Sequence, residues 1–218
     1  MNKLIIGNKN YSSWSLRAWL LLKQFQIPFE EIRIPLFTEE FKQKIKQYSP
    51  TGFVPTLCVD DQSIWDSLAI CEYIADAYPE LHCWPGDLKT RAMARSVSNE
   101  MHSGFFQIRN LLPMNCRTKT VVSDISPELQ AELYRICEIW RTCRTRSAGE
   151  GDFLFGNFSI ADAMYVPVVL RFKSYGIEVG EIETTYMETM LSLKSLQEWL
   201  AGAMEEQEII AHYEDNEE

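Results

Sequence analysis

Three short stretches of the chain put polar or reactive groups where one element hands over to the next, the positions from which side chains and free backbone groups can reach a ligand. The first is Asn10-Tyr11-Ser12-Ser13-Trp14-Ser15-Leu16-Arg17. It lies between an apolar run and a helical pattern, so unpaired amides and the positive end of a helix dipole would converge there with serine hydroxyls, and an anion or a thiolate would be stabilised. A cap made by Ser12 or Ser13 explains the same residues without chemistry.

The second stretch is Gly52-Phe53-Val54-Pro55-Thr56, with a proline at the start of a strand. A cis peptide there would turn the Val54 backbone outward as a pairing edge. In the third, Ile64-Trp65-Asp66-Ser67-Leu68-Ala69-Ile70, a carboxylate and a hydroxyl meet where a strand gives way to a helix. That pair suits the ammonium and carboxylate of an amino acid, and it equally suits a helix cap.

The elements that would hold these stretches can be read from periodicity. Lys3 to Gly7 is a short apolar run suited to a buried strand, and Ser13 to about Phe25 carries leucines and tryptophans at helical spacing. Phe29 to Leu36 alternates, Thr38 to Tyr48 opens on Thr-Glu-Glu as a helix, Thr56 to Asp60 and Ser63 to Trp65 form a hairpin, and Ser67 to Tyr78 is helical. The order β-α-β-α-β-β-α predicts a mixed four-stranded sheet of the thioredoxin-like kind. Pro79 to Asp87 breaks all periodicity, which gives an expected boundary between a first domain over residues 1–80 and a second over residues 88–218. Leu88 to Leu112, Ser126 to Arg144, Ser159 to Tyr175 and Thr189 to Glu208 predict an all-α bundle. Ser159-Ile160-Ala161-Asp162 has the form of a capping box.

Composition excludes several functions. The 218 residues carry 21 basic and 31 acidic side chains, and the basic ones form no stripe, so nucleic acid is not an expected partner. Neither a signal-peptide core nor a spanning segment is visible, which predicts a cytoplasmic protein with no membrane partner. Six scattered cysteines without a C-x-x-C pair read as reduced, mostly buried thiols, and His82, His102 and His212 lack metal-ligand spacing, so no metal is expected.

In this order, the elements and motifs resemble a cytosolic glutathione transferase over nearly the whole chain. Ser12-Ser13-Trp14-Ser15 is similar to the zeta-class motif Ser-Ser-Cys-Ser, with Ser12 at the serine given the catalytic role and Trp14 in place of cysteine. Val54-Pro55-Thr56-Leu57 resembles the family's cis-proline turn, and Asp66-Ser67-Leu68-Ala69-Ile70 its γ-glutamyl motif Glu-Ser-x-Ala-Ile, with Asp for Glu. Ser159 to Asp162 resembles the family's buried capping box. The whole resembles in particular a group of bacterial transferase-like proteins with Asn-Tyr-Ser-Ser-Trp-Ser near the N-terminus.

That resemblance implies glutathione as co-substrate, a small electrophile as second substrate, and a homodimer. It implies that Ser12, with Ser13 as the alternative, stabilises the thiolate. Tyrosine-using relatives carry that residue at the end of the first strand, where Ile6 and Gly7 stand here, so Tyr11 is not the expected activator. Val54 and Pro55 would pair with the cysteinyl unit, Asp66 would take the γ-glutamyl ammonium, Ser67 the carboxylate, and Lys42 the glycine carboxylate, although the zeta-like polar position aligns with Glu40. Met101 to Phe106 and Leu112 to Met114 would either wall the electrophile pocket or serve as bundle core. Arg117 would either steer an acidic co-substrate or cap a helix. The resemblance leaves two alternatives, a zeta-like isomerase of maleyl-type diacids and a non-catalytic binding protein that keeps the fold.

Overall fold

The computed structural model describes residues 2–122 and 124–214. Strand β1 (Asn2–Ile6) supplies the centre of the sheet, and its Leu4, Ile5 and Ile6 are fully buried. Because successive strand side chains point to opposite faces, Leu4 and Ile6 join the main core, whereas Ile5 packs on the other face with Ile34 and Ile45.

β1 pairs in parallel with β2 (Phe29–Arg33) and antiparallel with β3 (Thr56–Val59), which turns back into β4 (Gln62–Trp65). The strand order is therefore β2-β1-β3-β4. The alternating pattern predicts a strand to Leu36, yet β2 stops at Arg33 apart from one further bond from Ile34 N–H to the Ile6 carbonyl. Pro35 has no N–H with which to continue the ladder.

Helix α1 (Ser13–Gln24) and α3 (Ser67–Ala77) pack together, and Ile45 follows the short α2 (Glu39–Lys44) on the opposite face. This is the thioredoxin-like part. Beyond it come α4 (Leu88–Ser103), α5 (Phe106–Leu111), α6 (Pro127–Arg146), α7 (Ile160–Ser174), α8 (Glu181–Ser192) and α9 (Lys194–Glu205).

Two helical expectations are corrected. The run expected from Leu88 to Leu112 is broken at Gly104 and Phe105, where Phe105 adopts φ +61°. Arg109 folds back over the break, its Nε donating to the Gly104 carbonyl at 3.0 Å. The helix expected from Thr189 to Glu208 is two helices that meet at Leu193, and on α8 only Glu183, Tyr186 and Met190 are buried. So narrow an inward stripe gives little periodic signal.

α7 is buried along almost its whole length and packs against both α1 and α4, tying the bundle to the sheet-bearing part. Asp162 anchors its start: Oδ2 accepts from Ser159 N at 2.9 Å and from Ser159 Oγ at 3.1 Å, and Oδ1 accepts from Leu154 N at 3.0 Å. Burial outweighs these bonds and pushes the carboxyl up to about 6.

Asp162→Ala is expected to cost roughly 2–4 kcal/mol, because it strands two buried amides and removes a cap. A carboxyl whose folded value lies above the ordinary value of about 3.9 contributes stability that is complete below that value and is lost as pH rises through the folded one. The penalty measured by urea unfolding should therefore be larger at pH 4.5 than at pH 8. Equal penalties at both pH values would show that the carboxyl titrates normally.

Candidate functional site

Two adjoining cavities open where the loop before α1, the β3 turn and the start of α3 converge. The smaller, about 320 Å³, is lined by Trp14, Val54, Pro55, Asp66 and Ser67 among others. The larger, about 650 Å³, takes in Ser12, Ser13, Lys42, Pro113, Met114 and Arg171 among others. Trp14, Phe53 and Val54 line both, so a ligand lying across them would pass these three residues.

Ser12 occupies the N-cap position of α1, yet its hydroxyl does not cap the helix. It donates instead to Ser15 Oγ at 2.7 Å, and Ser15 Oγ also accepts the Gly7 N–H at 3.1 Å. The first amides of α1, left without a side-chain cap, belong to the same end of the helix. Ser13 lines the larger cavity, and its backbone N–H bonds the Tyr11 carbonyl.

The loop that carries Ser12 is held from far along the chain. Glu206 accepts the Lys9 and Asn10 amides at 2.7 and 3.0 Å. Arg117 reaches the end of α9 and the loop before α1: its NH1 donates to the carbonyl of the α9 C-cap residue Glu206 at 2.5 Å, and its NH2 to the Tyr11 hydroxyl at 2.8 Å and to the Glu208 carbonyl at 2.9 Å. The Tyr11 hydroxyl also bonds the Glu214 carboxylate, and burial with that carboxylate pushes its phenol above the usual range. A phenol so engaged has little capacity left for a thiolate.

Val54-Pro55 is a cis peptide, and neither the N–H nor the C=O of Val54 makes a hydrogen bond among the described residues. Asp66 caps α3, its Oδ1 accepting from Leu68 N at 2.8 Å. Its second oxygen lies 2.7 Å from His102 Nε2. Ser67 Oγ is buried and has no partner among the described residues, a cost that a ligand acceptor or donor would offset. Lys42 reaches the larger cavity while its ammonium pairs with Glu39 at 2.6 Å, and Glu40 pairs with Lys44.

The residues expected to wall the electrophile pocket divide. Pro113 and Met114 line the larger cavity, whereas Met101 and Phe105 are buried in the main core and Phe106 is exposed. Sequence reasoning missed an arginine cluster. Arg171, only 4% exposed, donates through Nε to the Leu112 carbonyl at 2.8 Å and leaves NH1 buried without a partner among the described residues. Burial and then the Arg109 charge lower it to about 10. Arg17 is fully buried, and its NH1 and NH2 lack hydrogen-bond partners among the described residues; burial first, then Arg109 and Arg171, lower it far below the ordinary value. Trp14 lies between two of these groups, with the Arg17 guanidinium 4.3 Å and that of Arg109 4.7 Å from its ring centroid. Such stacking stabilises each cation. One signal was readable, a lone arginine near the end of the apolar run that becomes α7; His212 and Tyr213, also in the larger cavity, gave none.

The "Glutathione S-transferase, N-terminal domain" family model matches residues 11–77, a stretch that includes Ser12, Val54 and Asp66. A protein of Caenorhabditis elegans named "Probable maleylacetoacetate isomerase" is 39% identical over 175 residues, 79% of each chain. The chain belongs to the glutathione S-transferase family. It is an enzyme of that family, whose co-substrate is glutathione. A solved glutathione transferase homologue from Burkholderia gl BGR1, with bound glutathione, is 25% identical with a TM-score of 0.69, covering 93% of this chain and 98% of that one. A zeta-class maleyl pyruvate isomerase shares the fold at 18% identity, with a TM-score of 0.70 over 92% of this chain and 97% of that one. Other curated relatives align over about half of their length.

Trp14 is one of the three residues shared by both cavities and the shelf for two guanidinium groups. Among the described residues no helix of this transferase-family chain is long and apolar enough to cross a membrane, and no three potential metal ligands gather.

Proposed function

We propose that the chain binds glutathione across the smaller cavity and presents its sulfur, as a thiolate, to a small electrophile in the larger one. The observation that carries this reading is the continuity of the two cavities through Trp14, Phe53 and Val54, with Ser12 in the wall of the second. The free Val54 backbone groups would pair with the cysteinyl unit beside Pro55. Asp66 would take the γ-glutamyl ammonium, and Ser67, whose hydroxyl has no partner among the described residues, the carboxylate. Lys42 would exchange Glu39 for the glycine carboxylate.

A cysteine-type thiol ionises near 8.5, so only a few per cent is thiolate at pH 7. In our reading the Ser12–Ser15 bond reverses when glutathione binds. Ser15, oriented by the Gly7 N–H, then donates to Ser12, and Ser12 donates to sulfur, helped by the free amides of α1. Lowering the thiol by one to two units corresponds to about 1.4–2.7 kcal/mol.

The buried Arg171 NH1, unpartnered and without an ion pair among the described residues, with the Arg109 and Arg17 charges acting on it, favours an electrophile that itself carries a carboxylate. This supports a maleyl-type diacid as substrate. The thiolate would add to one carbon of the cis double bond, the new single bond would rotate, and elimination would return glutathione and the trans isomer. Two copies would pair, with the 73%-exposed Phe53 beside the shared wall available to be covered. The cytoplasm, where glutathione is plentiful and the six unpaired cysteines stay reduced, is the compartment this reading requires.

The folded protein is expected to be retained on glutathione-agarose and released by free glutathione. Incubated with glutathione and a maleyl diacid, it should convert the diacid while the glutathione concentration stays constant by thiol titration. Stoichiometric loss of thiol would establish conjugation instead, and no retention together with no turnover would dismiss the reading.

A further inference from the structure

Asp66 is held more firmly than helix capping demands. It has φ +64° and ψ 148°, a conformation that a residue with a side chain seldom adopts and that persists where the surroundings over-determine it. Oδ1 caps α3 through Leu68 N, which by itself would leave the carboxylate plane free to turn about that bond. The contact from His102 Nε2 to Oδ2, at 2.7 Å, removes that freedom.

His102 comes from the last turn of α4, in the other half of the chain, and is itself fixed from two sides. Its ring meets Trp14 edge-on, with centroids 5.3 Å apart. Its carbonyl accepts from Arg109 NH2 at 3.4 Å. A carboxylate oxygen has two lone pairs, so Oδ2 can accept from His102 and still receive a second donor from the smaller cavity that Asp66 lines.

We propose that His102 is a positioning residue, whose bond to Asp66 Oδ2 aims that carboxylate at the α-ammonium of the γ-glutamyl unit. This rests on the glutathione reading above and extends it, because the ammonium site is then shared between the sheet-bearing half and the helical half. His102 touches no part of the ligand. It acts by holding Asp66 in a single rotamer, so that the ion pair forms without ordering the side chain anew.

The discriminating probe is the deamino analogue of glutathione, glutaryl-cysteinyl-glycine, which keeps the thiol and both carboxylates and lacks only the ammonium. Dissociation constants for glutathione and for this analogue are measured by calorimetry on the full chain and on His102→Ala, His102→Gln and Asp66→Ala, with thermal unfolding confirming that each variant is folded. For glutathione, His102→Ala should weaken binding about five- to twentyfold, within the range expected of a charge-assisted contact. For the analogue it should change binding less than twofold, and His102→Gln, whose amide NH2 can reach Oδ2, should recover most of the loss. Equal weakening toward both ligands, or no weakening toward either, overturns the proposal. If His102→Ala fails to fold, the same comparison is read from His102→Gln against His102→Leu. Should Asp66→Ala lose glutathione selectively while His102→Ala does not, the positioning role fails and the glutathione reading stands; should the parent bind glutathione no better than its deamino analogue, Asp66 has no ammonium to position and the reading of that residue fails as well.

Discussion

Ser12→Ala is expected to lower the rate of conjugation with a neutral model electrophile at pH 7 by about ten- to a hundredfold, and to raise the apparent pKa of bound glutathione by about one unit or more. The substitution removes the hydroxyl proposed to donate to sulfur and leaves Val54, Asp66 and Ser67 in place, so glutathione affinity at high pH should change little. The hydroxyl pair makes the neighbouring serines unequal controls. Ser15→Ala removes the group that bonds Ser12 at 2.7 Å and that the Gly7 amide orients, so it should give an intermediate loss. Ser13→Ala should be near neutral. If Ser13→Ala abolishes the rate while Ser12→Ala is silent, the assignment moves by one residue. If all three keep the parent's thiol titration, a serine is not the activator.

Arg171→Met should reduce kcat/KM for a maleyl-type diacid by roughly a hundredfold or more, the scale of losing one partner of a buried charge pair. Turnover of a neutral electrophile should stay within about threefold under the same conditions, since methionine fills a similar length without bringing charge. Stability should change little, because removing a buried guanidinium with no ion pair among the described residues relieves its desolvation cost while losing its bond to the Leu112 carbonyl. A parallel fall with both electrophiles would assign Arg171 to the architecture of α7. An unchanged diacid rate would remove the carboxylate from its role.

These two residues also mark how far the sequence could be read. The βαβαββα order and the helical second half followed from periodicity, because side chains at a period of two or near 3.6 are fixed by burial on one face, a local property of the chain. The serine stretch, Val54-Pro55 and Asp66-Ser67 were readable for a related reason: each lies at the end of an element, where free backbone groups make a polar residue notable. Periodicity failed at Gly104-Phe105 and along α8, where a left-handed residue and a narrow buried stripe left no regular pattern.

What the sequence by itself determined is the succession of elements and the short motifs at their ends, since both depend on residues within a few positions of one another. The tertiary structure decided which hydroxyl Ser12 touches, that Arg117 is spent on Tyr11 and the segment near Glu206, that His102 meets Asp66 across 36 positions, and that Arg17, Arg109 and Arg171 gather around Trp14 and the larger cavity. Such partnerships form when packing brings distant segments into one low-dielectric space, where an unpaired polar group is costly and a suitably placed neighbour or ligand becomes decisive.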